Sequence, residues 1–250
     1  MILRLDLHVH SDRSPDGRSS LDALIRAARA GGLDGFALAD HDLLSCAGMA
    51  EDLLVVPACE CSTRDGHILA LCIDRLPQVL QSSTGRLPTA RGAIDEIHRL
   101  GGVAVWAHPY ERHDAIDEKA AALADAIETA NGRAVFKRPQ ANAQAAALAR
   151  RLGKPQTGGS DAHHHSEIGN VFTVLDCKDK TLDSIKQALL AGNCTPIAVR
   201  DTPRYKKGLS QLCKCRRNRI GPGRLLKALA YLVYCFWLDL RFHIKKQGKR

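Results

Sequence analysis

The chain has 250 residues, 45% hydrophobic and 25% charged, the make-up of an ordinary soluble globular protein. Its longest apolar run, ALAYLVYCFWL (228–238), is too short to span a bilayer. The net charge of +9 is a composite: residues 204–250 hold fourteen Lys or Arg against one acid, Asp239, and residues 1–203 carry a balance of −4. A mildly acidic body and a strongly basic tail are therefore read separately, as 1–203 and 204–250. Nine cysteines are many for this length. Cys46, Cys59, Cys61, Cys72, Cys177 and Cys194 lie in or beside apolar runs, where free cysteine behaves as a small hydrophobe. With no secretory pattern at the start, a reduced, cytoplasmic protein is expected.

The first predicted strand is ILRLDLHV (2–9), and it runs into DLHVHSDRSPDG (6–17), which packs two histidines and three aspartates into one strand end and turn. A helix follows in SLDALIRAARAGG (20–32), with Ser20 as its N-cap and the glycine pair as its stop. DGFALAD (34–40), LLVVPAC (53–59) and HILALCID (67–74) read as strands, ARGAIDEIHRLGG (90–102) as a helix, and GGVAVWAH (101–108) and AIETAN (126–131) as strands. NAQAAALARRLGK (142–154) has helical spacing; KPQTGGSD (154–161) and NVFTVLD (170–176) complete the body. This alternation predicts an α/β fold whose mainly parallel sheet is covered by helices, either open or closed into a barrel.

The acids and histidines gather at strand ends. His8 and His10 end the first strand, Asp40 and His41 the second, Glu60 the third; His108 ends GGVAVWAH, and Asp161 and His163 follow KPQTGGS. In a parallel barrel these ends share one rim, the usual place of an active site. A lone histidine there is more often a hydrogen-bonded structural group than a ligand, but the HxH spacing aims two imidazoles to one side of a strand. Imidazole and carboxylate without thiolate suit Zn, Mn or Fe in a catalytic centre. Seven or more such ligands exceed the needs of one ion, so two or three divalent ions are expected, and hydrolysis of a phosphate ester by a metal-activated hydroxide fits best. Amide hydrolysis by a two-metal, amidohydrolase-like barrel is the chemical competitor.

DLHVHSDRSPDG, ADHD, the Glu60-to-His67 pair in ECSTRDGHILAL, AHPY and GGSDAH occur in that order and resemble the PHP (polymerase and histidinol phosphatase) family over roughly residues 3–200. The resemblance implies a distorted (β/α)7-type, TIM-like barrel holding up to three metals. It also implies that His8, His10, Glu60 and Asp161 surround one ion, that Glu60 bridges to a second held by His67 and His108, and that Asp16, His41 and His163 hold the third. The compact length resembles stand-alone members acting on nucleotides, nucleoside bisphosphates or short oligonucleotides. Asp40 is expected to orient an imidazole rather than bind metal, and Asp6 to be structural. Arg18, Arg112 and Arg133 are candidates for holding phosphate, Arg133 foremost because IETANGR should end on the rim; Asn131 is a further candidate for substrate and, with Glu128, for support of the ligands.

After Pro203, KKGLSQLCKCRRNRIGPGR is basic and broken at Gly221-Pro222-Gly223. LLKALAYLVYCFWLDLRFHIKK (225–246) then reads as a helix apolar on most faces, and six of the eleven aromatics (Tyr205, Tyr231, Tyr234, Phe236, Trp237 and Phe242) fall in the tail. Three readings stand: a helix docked on the barrel, peripheral attachment to an anionic inner-membrane surface, or nucleic-acid binding through Arg216, Arg217 and Arg219. A non-catalytic, metal-stabilised regulatory module acting through this basic tail is the alternative to an enzyme.

Overall fold

The computed structural model describes residues 1–45, 48–50, 52–81, 85–136 and 138–247. Cys46 and the side chain of Phe242 lie outside the described residues. The elements run β1 (Ile2–Val9), α1 (Leu21–Ala30), β2 (Gly35–Leu38), β3 (Gly48–Ala50), β4 (Leu53–Thr63), β5 (Gly66–Leu71), α2 (Ala90–Arg99), β6 (Val103–Ala107), a one-turn α3 (Glu118–Ala121), β7 (Ala126–Asn131), α4 (Ala141–Leu152), β8 (Gln156–Gly159), β9 (Val171–Asp176), α5 (Leu182–Leu190), β10 (Cys194–Ala198), α6 (Arg204–Arg217) and α7 (Pro222–Gln247). The helix ends follow local chemistry. Ser20 Oγ accepts from Ala23 N and caps α1, Thr89 Oγ1 accepts from Gly92 N and caps α2, and α4 stops at Gly153 in the left-handed conformation.

The strands form one sheet in the order β10-β9-β1-β2-β4-β5-β6-β7-β8, with β3 paired to β4. It curls until the chain after β8 meets β1: His10 N donates to Ala162 O at 2.8 Å, and Val9 pairs with Ala162. The result is a distorted, nearly closed TIM-like barrel with a helical C-terminal region, as the sequence predicts. The expectation of a mainly parallel sheet needs correction. β1-β2-β4 and β6-β7-β8 are parallel, but β5 is antiparallel to both its neighbours, and β9 and β10 run antiparallel to the strands beside them. The cause is the tight turn at Arg64-Asp65 in STRDGH, which folds β4 directly back into β5. β3 and β10 were absent from the expected strands, being short and, in β10, interrupted by Pro196.

Side chains one apart in a strand point to opposite faces, so a single register decides what fills the barrel. Leu3, Leu5, Leu7, Leu54, Val56, Ala58, Leu69, Leu71, Val103, Val105, Ala107 and Ala126 form one buried cluster. Trp106, Ile68 and Ile127 instead pack outward on α2 and α4, and Val9, Phe36 and Leu38 outward on α1. Continuing each inward row by one step gives Glu60 after Ala58, His67 before Leu69 and Glu128 after Ala126. The barrel thus has an apolar floor and an ionisable rim. In β1 the register shifts between Asp6 and Val9, which places His8 and His10 on the site side although the odd-numbered Leu3, Leu5 and Leu7 face the core.

Gly159 marks the closing seam. A Cβ there would lie 2.4 Å from His8 Cβ and 2.8 Å from His8 N, so a methyl group forces β8 away from β1. Gly159→Ala is expected to cost about 1–3 kcal/mol of stability, read as a lower Tm by calorimetry; an unchanged Tm would show that the seam is not tightly packed.

Candidate metal centre

Glu60, at the end of β4's inward row, is the hub. Its Oε1 lies 2.6 Å from His67 Nδ1, 2.9 Å from His108 Nε2 and 3.5 Å from His8 Nε2. Its Oε2 lies 2.8 Å from His41 Nδ1 and 3.4 Å from His10 Nε2. Asp161 Oδ1 stands 3.5 Å from His10 Nε2 and 3.9 Å from His8 Nε2, while Asp16 Oδ1 is 3.5 Å from Nε2 of both His41 and His163. The structure therefore gathers His8, His10, Asp16, His41, Glu60, His67, His108, Asp161 and His163 into one cluster. Within it, three triads could each hold an ion: His8, His10 and Asp161; His8, Glu60 and His108; and His10, His41 and His163. These overlap the expected partition without repeating it.

The hydrogen bonds fix which imidazole nitrogens carry lone pairs. Glu128 Oε1 can only accept, so His8 Nδ1 donates to it at 3.0 Å, and the neutral ring carries its lone pair on Nε2. Ser14 Oγ donates to Asp40 Oδ1 at 2.7 Å, so it accepts from His10 Nδ1 at 3.2 Å, and the His10 lone pair is likewise on Nε2. His163 Nδ1 donates to the Asp161 carbonyl at 2.9 Å. His8 Nε2, His10 Nε2, Asp16 Oδ1 and Glu60 Oε2 are buried and have no hydrogen-bond partner. Orphaned buried donors and acceptors are costly, and these four, three around Glu60 and one on Asp16 beside His41 and His163, fit divalent cations.

The electrostatics point the same way. Burial alone would raise the Glu60 carboxyl, but His67, His41 and His8 hold it well below the usual carboxylate range; Asp161 is held down in the same way against its burial by His8, His10 and His163. Burial, together with His163 and His41, pushes the His10 imidazole down to about 3, so it is neutral and able to ligate. His8 is the converse. Burial would lower it, yet Glu128, Glu60 and Asp161 raise it well above its ordinary value, so positive charge is favoured beside its Nε2.

Two members of the cluster, His108 (φ 25°) and Asp161 (φ 53°), hold backbone conformations that non-glycine residues rarely adopt. Glu128 helps to hold His108 there. Its Oε2 accepts from His108 N at 2.9 Å and from Asn131 Nδ2 at 3.0 Å. Asp40, as expected, is an orienting group: it gathers Ser11, Ser14 and Ser45, and Ser14 holds His10. Asp6 is structural, accepting from Ser160 N and Oγ and from Gly169 N across the seam.

The phosphate-binding expectations fare unevenly. Asn131 is buried, and its amide is engaged by Glu128 and by the backbone N–H groups of Arg133 and Ala134. Arg18 bonds Glu167 and borders a different hollow, beside Cys213 and Arg216. Arg133 reaches the cleft edge but is buried, with Nε 2.8 Å from Glu167 Oε2. Buried Glu167 draws both arginines inward, and no sequence spacing shows that. Arg112, with an exposed side chain, does line the cleft.

The basic tail supplies what sequence reasoning missed. α6 crosses the barrel mouth, and Lys207, Ser210, Gln211 and Lys214 form one wall of the cleft above the cluster. Lys207 pairs with Glu111, Lys214 Nζ is 3.5 Å from Asp16 Oδ2, and Arg217 donates to the carbonyls of Asp12 and Ser14 at 2.7 Å. The docked helix was expected at 225–246, within α7; it is α6, in a segment not expected to be helical, that lines the cleft, and α7 packs on α6.

A profile of the PHP domain matches residues 6–56, and one described as PHP-associated matches residues 139–194. Over these two segments the chain is similar to the PHP family. No curated protein matches it. Among solved structures it is similar to a two-domain protein containing a predicted PHP-like metal-dependent phosphoesterase from Bacteroides vulgatus, at 19% identity and TM-score 0.60, covering 79% of this chain and 65% of that one. PsfC from Pseudomonas syringae aligns at 16% identity and TM-score 0.61 over 88% and 99% of the two chains. The lesion-specific endonuclease PfuEndoQ from Pyrococcus furiosus aligns at 17%, TM-score 0.56, over 82% and 60%. At these identities the likeness is one of fold.

Glu128→Gln tests the site without assaying turnover. An amide cannot accept at both ends, so either His8 or His108 loses its anchor. Affinity for Zn or Mn, measured by titration calorimetry, is expected to fall about 10–100-fold with an unchanged circular-dichroism spectrum; unaltered affinity would mean that Glu128 orients no ligand.

Proposed function

We propose that this PHP-like chain is a phosphoesterase that hydrolyses a small phosphate ester, of the size of a nucleotide, a nucleoside bisphosphate or the end of a short oligonucleotide. One observation carries the reading: the unpartnered nitrogens of His8 and His10 converge with Glu60 and Asp161 directly beneath a cleft walled by cations. Two or three divalent ions among the nine clustered residues would supply an activated water and neutralise phosphate oxygens.

The chain's own residues do the rest. His8, His10 and His163, when neutral, present lone pairs on Nε2 because Glu128, Ser14 and the Asp161 carbonyl accept from their Nδ1–H groups. Lys207 and Lys214 from α6 and Arg112 from the rim face the same space and match the oxygens of a phosphate. A cationic wall favours an anionic substrate, which sets phosphate ester hydrolysis above the amide alternative. With α6 forming one wall of the cleft, a small phosphate ester or the end of a chain is the substrate proposed. Hydrolysis adds water across the phosphorus–oxygen bond, and the leaving oxygen takes a proton.

With Mn or Zn present, hydrolysis of an aryl phosphate and of nucleotides is expected and should cease on chelation; His10→Ala should lower kcat/KM at least about 10³-fold. No turnover on aryl phosphates, nucleotides or oligonucleotides by metal-loaded protein would refute the reading. Lys214→Ala should raise KM about tenfold with a smaller change in kcat; an unchanged KM would remove α6 from substrate binding.

A further inference from the structure

α7 is amphipathic in an unusual sense: one face packs on α6, and the opposite face is apolar and open. On the packed side Ala228 and Cys235 are buried, and Gly208 of α6 comes so near Leu232 that a Cβ on the glycine would lie 2.8 Å from the Leu232 Cα. On the open side Leu226, Leu229, Val233, Phe236, Trp237 and Leu240 are 43–68% exposed, Phe236 with one ring face stacked on Tyr205 of α6. Their spacing is that of one helical stripe, about 21 Å long at 1.5 Å per residue. No charged residue interrupts it.

The charges stand at its ends. Arg224 and Lys227 flank its start and Arg241 its end, after which the sequence adds Lys245, Lys246, Lys249 and Arg250. The tail's one acid, Asp239, is turned toward α6, where its carboxylate accepts from Arg204 N at 3.0 Å and Tyr205 N at 2.9 Å. The Arg241 guanidinium lies over the Trp237 ring, 4.6 Å from its centroid, and Tyr234 stacks beside it. Aromatic rings with a polar edge next to a cation suit the boundary between headgroups and acyl chains.

This pattern discriminates among occupants. Pairing with a second copy, parallel or antiparallel, sets cationic end against cationic end. Nucleic acid would satisfy the cations and leave the apolar stripe in water. An anionic lipid surface satisfies both, with acyl chains for the stripe and headgroup phosphates for the two basic ends. We propose that α7 is a membrane-interface helix that lies flat on an anionic lipid bilayer with the stripe Leu226–Leu240 immersed. It does not cross: among the described residues no helix is long and apolar enough to span a membrane.

The full chain should be mixed with vesicles of phosphatidylcholine alone and with vesicles that also contain phosphatidylserine, and followed by co-sedimentation and tryptophan fluorescence. The chain has two tryptophans and Trp106 is wholly buried, so a blue shift reports Trp237 entering lipid. Expected are sedimentation and a blue shift with the mixed vesicles, both weakened by salt. Replacing Val233 and Leu240 with Glu, on an exposed face where folding is not at stake, should abolish both, and Arg224→Glu should lower partitioning by about fivefold or more. No association with anionic vesicles overturns the proposal. So does a chain that light scattering shows to be dimeric and the Val233/Leu240 variant turns monomeric, or a fluorescence shift seen only with an oligonucleotide.

Discussion

A buried carboxylate surrounded by imidazoles is the constraint on which the molecule depends. Glu60 is sunk in the barrel mouth with histidines at both oxygens, and Asp161 and Asp16 sit close by. Taking such charges out of water costs several kcal/mol each unless they are paired and held in good geometry. The surrounding structure supplies that geometry. Glu128 anchors His8 and His108, the Asp40–Ser14 relay anchors His10, and the seam between β1 and the chain after β8 holds Asp161 in its left-handed conformation. Of the seven buried side-chain polar atoms that lack partners among the described residues, four belong to this cluster, as a site able to hold cations requires.

The barrel delivers these groups by simple means. Inward rows are apolar at depth and ionisable at the last step, so closing the sheet concentrates charge at one end only. β5 reaches the same rim although it runs the other way, because the Arg64-Asp65 turn starts it at the mouth and puts His67 opposite Ala107. The register shift in β1 is the other device, since without it only one of Leu7 and His8 could face inward.

Much of this was legible in the sequence because it is local. The period-two rows, the HxH pair and the caps are set within a few residues and predict the α/β alternation and a rim of acids and histidines; the closed barrel and the full set of nine residues, Asp16 and His67 among them, were implied by the resemblance to the PHP family. What escaped depends on tertiary closure. The antiparallel β5 follows from a two-residue turn whose Asp-Gly signal was visible but read only as spacing between Glu60 and His67. Glu167, far along the chain, draws Arg18 to a different hollow and holds Arg133 buried at the cleft edge, and Glu128 holds Asn131. The tail's charge marked it as separate, yet composition cannot say that α6 turns its lysines into the site while α7 turns its apolar stripe away from it.

If Glu60 joins several cations in one centre, as proposed, the number of bound metals depends on its carboxylate. Elemental analysis of metal-loaded protein should give two or three ions per chain, and Glu60→Gln should lose more than one of them while the barrel stays folded, because a single amide cannot bridge as a carboxylate does. A single ion per chain in both proteins, or none in the parent, would contradict it.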